Sequence, residues 1–232
     1  MAGFDSARLR EWITSAIEVA YPPRCSGCGL WGRWVCEECL DSTPLFAEPR
    51  CPVCSLPLGR APCDCRALPA EVDTLWVAGP FDGWLRSAIH SYKFSGETVR
   101  AAHFAELMAP GFADLASDIA LAPVPLHPRR KRQRGYDQTL ILAKAISKHT
   151  GHPVFTGLKK SRDTPHQVGL DRGERSANLR DAFEIAPGMN VPAHLVLIDD
   201  VSTTGATLTE CAIALRRAGA IIVSAAVIAH GL

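Results

Sequence analysis

The stretch LVLIDDVSTTGAT, residues 195–207, sets four apolar residues directly before Asp199 and Asp200 and then runs into small, hydroxyl-rich residues around Gly205. Four successive apolar positions without polar alternation suit a strand buried on both faces, as in a parallel sheet. In an open parallel sheet, ligands bind beyond the carboxyl ends of the strands, and Asp199 and Asp200 emerge at such an edge. Adjacent carboxylates repel unless something neutralises them, and sugar hydroxyls or a hydrated cation are natural partners. The next residues enter a helix over 206–217. Its first N–H groups at Gly205 and Ala206, with the hydroxyls of Ser202, Thr203, Thr204 and Thr207, make a cup for a phosphate monoester. Gly205 lets the backbone approach that phosphate closely. The stretch therefore reads as acids for a ribose, with hydroxyls and amides for its 5′-phosphate.

Strand and helix alternate on both sides of this stretch. Strands are predicted over 72–81, 118–125, 152–158, 179–186, 194–200 and 220–230, and helices over 84–94, 98–108, 136–148 and 206–217. Leu140, Ile141, Ala145 and Ile146 are the expected buried side of the third helix. The pattern is that of an α/β fold with a doubly wound, mostly parallel sheet, covered by helices on both faces. Cys211 shares the apolar face of the last helix with Leu208, Ala212 and Leu215, which makes it a packing residue rather than a nucleophile.

Ahead of this domain the texture differs. Eight of nine cysteines fall between Cys25 and Cys65, as CSGC, CEEC, CPVC and a tighter CDC. Eight thiolates suffice for two tetrahedral zinc sites, each short pair pointing two sulfurs at one metal. Adjacent pairing gives Cys25, Cys28, Cys36 and Cys39 for one site and Cys51, Cys54, Cys63 and Cys65 for the other; a cross-brace would interleave them. A disulfide framework is the rival, disfavoured because residues 1–20 carry Asp5, Arg8, Arg10 and Glu11 where a secretion signal would be apolar. Trp31 and Trp34 are expected to cover the sulfurs as a miniature core, with stacking on unpaired bases the alternative. Leu9, Trp12, Ile13, Ala16, Ile17 and Ala20 recur at helical spacing, so a helix is expected to dock on the protein itself, or alternatively on a membrane surface or partner. The resulting division is an amphipathic helix over 1–23, a double zinc ribbon over 24–68 and an α/β domain over 69–232.

The 232 residues carry a formal net charge of only +1, which excludes a global attraction to nucleic acid or anionic membranes and leaves that role to local patches. No run approaches a membrane span, and a cytoplasmic location is the default expectation. One basic patch is LHPRRKRQRGYDQ, with five cations in positions 129–134 at a strand's carboxyl end. Another polar, arginine-rich insertion runs over 159–179, too long for an idle connection.

Residues 195–207 closely resemble the phosphoribosyl-pyrophosphate (PRPP) motif of type I phosphoribosyltransferases. With YKFSGE at 92–97, QVGLDRGERSANL at 167–179 and the cysteine array, the chain resembles the ComF family from residue 24 to 230. The resemblance implies that 129–134 is a pyrophosphate loop in which Arg129 and Arg130 contact the anion, and that 159–179 is a flexible loop closing over the site. Arg162, Arg172, Arg175 and Arg180 are its candidate substrate contacts, and Lys93 contacts the pyrophosphate or ribose region. It implies PRPP with Mg2+ as ligand, and displacement of pyrophosphate through a cation-like ribosyl transition state that Asp199 and Asp200 stabilise. It also implies an association with competence and incoming single-stranded DNA.

Three functions remain open from the residues. The protein is a phosphoribosyltransferase acting on a small nucleophile; or PRPP or a ribonucleotide is only a ligand for a protein that binds single-stranded nucleic acid; or the zinc module is a docking platform for competence or uptake proteins.

Overall fold

The computed structural model describes residues 22–43, 45, 71–162, 179 and 181–231. The N-terminal amphipathic segment, the second cysteine set (Cys51, Cys54, Cys63 and Cys65), and Arg172, Arg175 and Arg180 lie outside these residues.

The stretch at 195–207 becomes strand β5 (His194–Ser202), which pairs in parallel with β6 (Ile222–His230) on one side and β2 (Ala120–Pro123) on the other, while β1 (Leu75–Pro80) pairs in parallel with β6. The order is β1–β6–β5–β2, so β5 is central. Leu195, Val196, Leu197 and Ile198 are all buried. The pleat divides them. Val196 and Ile198 join a core with α2 (Gly83–Phe94), α3 (Arg100–Met108) and α5 (Gln138–Thr150). Leu195 and Leu197 join a second core with α6 (Ala206–Arg217). Each buried aliphatic contributes roughly 1.5–3 kcal/mol, and helices on both faces are what a continuously apolar strand requires.

Local signals set the helix ends. Asp82 accepts a hydrogen bond from Gly83 N at 2.8 Å, and Asp137 accepts from Leu140 N at 3.2 Å and Thr139 Oγ1 at 2.9 Å. Gly151, with φ of 83°, closes α5 in the left-handed conformation. Asp137→Ala is expected to cost about 1 kcal/mol, read as a lowered denaturation midpoint.

Three expectations need correction. The deepest apolar side chains of α5 are Leu142, Ala143 and Ile146, while Leu140, Ile141 and Ala145 are only half-buried. The helix presents its second face because Gln138 and Thr139 also point inward, toward β5 and the loop after β2. The strand expected over 152–158 reduces to a bridge, Val154 beside Leu121, before β3 (Leu158–Lys160), which pairs antiparallel with β4 (Phe183–Ile185). The basic run is a short helix, α4 (Pro128–Arg134), rather than a loop. Pro128 suits a first helical turn, His127 accepts from Arg129 N at 3.3 Å, and Gly135, at φ of 84°, ends it.

The cysteine-bearing segment, whose short helix α1 (Glu37–Asp41) carries Cys39, shares the first core. Cys25, Val35 and Cys36 pack with Trp84 of α2. Trp31 does not cover the sulfurs: it is 53% exposed, with the Arg24 guanidinium 3.6 Å from its ring centroid. Trp34 is half-buried under Arg100, 4.3 Å away. Val35 and Trp84, the latter contributed by the α/β part of the chain, are instead the buried apolar residues that share this cluster with Cys25 and Cys36.

Candidate functional site

The extended backbone of β5 sends Asp199 and Asp200 to opposite faces. Asp200 is only 4% exposed and both its oxygens are occupied: Lys93 Nζ lies 2.7 Å from Oδ1, and Gln138 Nε2 donates to Oδ2 at 3.1 Å. Lys93 stands in the last turn of α2. Neighbouring bonds hold both donors in place. Tyr92 OH donates to the Gln138 carbonyl at 2.6 Å, and Tyr136 OH donates to the Tyr92 carbonyl. Burial, then the Asp200 charge, push the Tyr92 hydroxyl well up, so it stays a donor.

Asp199 accepts the Asp200 N–H at 2.8 Å. Burial first, and then repulsion from Asp200, push its carboxyl up to about 8, against the pull of Lys93. Protonation is therefore favoured in the folded state over the unfolded one, whose reference value is 3.8. Stability is full below that reference and falls as pH rises toward about 8. Asp199→Asn is expected to flatten this decline and to raise the ligand-free midpoint at pH 8, measured by denaturant titration across pH.

The cup lies immediately beyond. Asp199, Ser202, Thr203, Thr204, Gly205, Ala206 and Thr207 line a hollow of ≈ 50 Å³ at the N-terminus of α6. Gly205 has φ of 74°, and Thr204 Oγ1 accepts from Ala206 N at 3.4 Å. Ser202 Oγ is buried with no hydrogen-bond partner among the described residues. An orphaned hydroxyl beside helix N–H groups fits a phosphate oxygen. Cys211, fully buried behind the cup, has its thiol raised well above the ordinary range by burial, which accords with packing.

The basic residues divide around α4. Lys131 lines a hollow of ≈ 680 Å³ with Lys159, Lys160 and His127, between the end of β2 and the β3–β4 pair. Arg130 and Arg134 instead line a hollow of ≈ 270 Å³ with Lys93, Phe94, Gln133 and Tyr136. Arg129, at the first turn of α4, lines neither. Lys93 thus joins the second hollow to the acid pair.

The Sγ atoms of Cys25, Cys28, Cys36 and Cys39 all lie within 4.8 Å of one another. Cys25 and Cys36 are 3.7 Å apart, and Cys28 and Cys36 3.6 Å. A zinc tetrahedron with 2.3 Å bonds has sulfur–sulfur edges of about 3.8 Å, so this set fits the ion and groups two adjacent pairs rather than a cross-brace. Burial alone would raise Cys25, but N–H groups of Cys28, Cys36 and Gly27 outweigh it and bring the thiol down to about 6. Cys39 is pushed up to about 12, chiefly by its hydrogen bond with Cys36 and by burial. Four such thiols ionise together only around a cation. Gly27 closes the cradle: a Cβ there would stand 2.5 Å from Cys39 Sγ. Gly27→Ala is expected to lower zinc content below that of the wild type, read by metal analysis.

Gln138, Tyr92, Tyr136 and Phe94 carry no role in the sequence reading, although Tyr92 and Phe94 lie within YKFSGE and Tyr136 and Gln138 within RGYDQ.

Parallel sheet, acid pair, Thr-Gly cup and cysteine knuckle define the class: a phosphoribosyltransferase-like α/β protein with a zinc-ribbon-type module. No protein-family model matches the chain. Among solved structures, an allosteric regulatory enzyme of purine biosynthesis is similar at 18% identity and a TM-score of 0.40, covering 60% of this chain and 29% of that one. The glutamine PRPP amidotransferase of Bacillus subtilis is similar at 16% identity and a TM-score of 0.37, covering 60% and 30%. Sequence relatives are more specific. The DNA utilization protein YhgH of Escherichia coli K12 is 30% identical over 203 residues, 83% of this chain and 87% of that protein. Competence protein ComFC of Bacillus subtilis is 26% identical over 202 residues, 80% and 79% respectively. Competence protein F of Haemophilus influenzae is 37% identical over 103 residues, a match that spans 43% of this chain and less than half, 45%, of that relative. The chain belongs to the ComF family.

Proposed function

We propose that this protein binds PRPP, with a divalent cation such as Mg2+, and transfers its phosphoribosyl group to a small nitrogen nucleophile. The observation that carries this reading is the junction of β5 and α6, where Asp199 meets the orphaned Ser202 hydroxyl and the Gly205 turn. In the reading, the 5′-phosphate sits on the α6 N-terminus, held by Ser202, Thr203, Thr204 and Thr207. Asp199 takes the ribose hydroxyls and, when ionised, would help hold the cation, while Asp200, fixed by Lys93 and Gln138, holds the negative potential under the anomeric carbon. The bond from that carbon to pyrophosphate breaks with its electron pair leaving on the diphosphate, whose charge Lys93, Arg129, Arg130 and Arg175 neutralise. The cysteine set Cys25, Cys28, Cys36 and Cys39 holds a structural zinc, and Cys51, Cys54, Cys63 and Cys65 a second. Reduced thiols suit a reducing compartment, so the protein is assigned to the cytoplasm. The names of the relatives, competence and DNA utilization proteins, support a role in DNA uptake or utilisation.

Pyrophosphate release from PRPP and Mg2+, with and without a panel of bases and amines, tests catalysis. Release should fall about a hundredfold in Asp199→Asn, in line with removal of one transition-state partner. Equal release from wild type and variant would end the enzyme reading.

A second reading, binding of single-stranded nucleic acid, is favoured by the cations of α4 and the exposed Trp31. It requires affinity for an oligonucleotide to fall steeply with salt.

Among the described residues, no helix is long and apolar enough to cross a membrane.

A further inference from the structure

Beside the acid pair lies a hollow that the assignments above use only at its rim. Lys93, Phe94, Gly96, Arg130, Gln133, Arg134 and Tyr136 enclose ≈ 270 Å³. Phe94 ends α2 with its ring 62% exposed, an unusual position for a large aromatic side chain. Two groups hold that ring: His90 packs against it at a tilt of 49° with centroids 4.8 Å apart, and the Arg134 guanidinium stands 5.1 Å from its centroid. Arg134 Nη1 is buried and has no hydrogen-bond partner among the described residues. Gly96 follows with φ of 74°, and a side chain added there would meet open space among the described residues.

The donors converge. Lys93, Arg130 and Arg134 offer only N–H groups, and Gln133 alone adds an amide that both donates and accepts. A flat exposed ring set among cationic donors suits a planar heteroaromatic molecule with oxo or carboxylate oxygens on its edge. The ring stacks on Phe94 while the oxygens face Arg134 and Gln133. Lys93 also fixes the direction of approach, because its ammonium is 2.7 Å from Asp200, so a molecule in this hollow lies one side chain from the acid pair. Lys93 and Arg130 are the lining cations already assigned to the diphosphate, which leaves Arg134 and Gln133 to a molecule on Phe94.

We infer that the hollow at Phe94 is the acceptor site, and that the acceptor is an oxo- or carboxylate-bearing heteroaromatic base. This rests on the phosphoribosyl-transfer reading and specifies its substrate class. In the step, the lone pair of a ring nitrogen forms the bond to the anomeric carbon. The carbon–oxygen bond to pyrophosphate breaks with its electrons on the departing diphosphate, and the proton of the ring N–H passes to solvent. Gln133 and Arg134 orient the edge of the base and take no part in bond making.

The test is calorimetric titration of the full-length, zinc-loaded protein with PRPP and Mg2+, then with hypoxanthine, uracil, orotate and adenine in the presence of saturating PRPP analogue. At least one of the first three is expected to bind, and more tightly than adenine, which has no oxo group. Phe94→Leu, which keeps an apolar side chain but removes the π-face, is expected to weaken that base about tenfold or more. Gln133→Ala is expected to weaken it severalfold, with PRPP affinity unchanged in both variants. Both positions are exposed, so the fold is retained, as circular dichroism would verify. Normal PRPP binding with no heterocycle bound, or with base affinity unmoved by Phe94→Leu, overturns the acceptor site while leaving the PRPP reading intact. Absence of PRPP binding overturns the reading beneath it. An oligonucleotide that binds through Phe94 where no free base does also overturns the assignment and makes the hollow a nucleic-acid platform.

Discussion

Replacing Cys36 with serine is expected to remove zinc from the first site and to destabilise the α/β part of the chain as well as the knuckle. Cys36 is central to the set: its sulfur lies 3.7 Å from that of Cys25 and 3.6 Å from that of Cys28, and its N–H donates to Cys25 Sγ at 3.4 Å. Structural zinc contributes roughly 10–16 kcal/mol to small zinc modules, so loss of one of four ligands removes several kcal/mol. That loss reaches the sheet because Cys25, Val35 and Cys36 pack on Trp84 at the start of α2, and because Arg100 of α3 donates to Ser26 Oγ at 2.8 Å. Two measurements check this. Metal analysis should show one zinc fewer per chain than wild type, and the thermal midpoint should fall by about 10 °C or more, at roughly 2–4 °C per kcal/mol for a chain of this size. Zinc lost with an unchanged midpoint would mean that the knuckle rides on the domain without supporting it.

Lys93→Met is expected to have the second-largest effect. The substitution removes the only ammonium within salt-bridge distance of Asp200 among the described residues and leaves a carboxylate that is 5% exposed against Gln138 alone. Removing one partner of a buried ion pair costs about 3–5 kcal/mol, because the remaining charge keeps its desolvation penalty. Asp200→Asn in the same background should recover most of it, since the neutral amide keeps the Gln138 contact without the charge. The denaturation midpoints of the four proteins in this double-mutant cycle give the coupling directly. If Lys93→Met and Asp200→Asn add without coupling, the Lys93–Asp200 pair is not what holds the end of α2 over the site.

The parts of the site readable from residues alone were those with a strict local signature. Residues 195–207 combine an unbroken apolar run, an acid pair and a Thr-Gly turn, and each has one structural solution at the end of a parallel strand. The cysteine spacing was legible for the same reason as a metal-ligand set, but not its grouping: adjacent pairs and a cross-brace fit the spacing equally, and only the structure brings Cys25 and Cys28 to Cys36 and Cys39. The basic run at 129–134 was visible as charge, but its helix depended on quieter signals, Pro128 at the first turn and Gly135 at the end. Gln138 was not legible as a partner of Asp200. The two are 62 positions apart, and the helical period places no value on a buried polar residue whose partner comes from another strand. Trp84 escaped in the same way: its role under the cysteines arises only when α2 packs on the knuckle. Phe94 differs again. It satisfies the apolar pattern of its helix, and only its 62% exposure reveals that the pattern is not used for the core.

The most direct measurement is calorimetric titration of PRPP with Mg2+ into the zinc-loaded, full-length protein, beside Thr204→Asp, which sets a carboxylate in the cup at the N-terminus of α6. The account predicts saturable binding of one PRPP per chain by the wild type and its loss in the variant, as two anions compete for the same N–H groups. No heat of binding from the wild type, or equal affinity in Thr204→Asp, would contradict it.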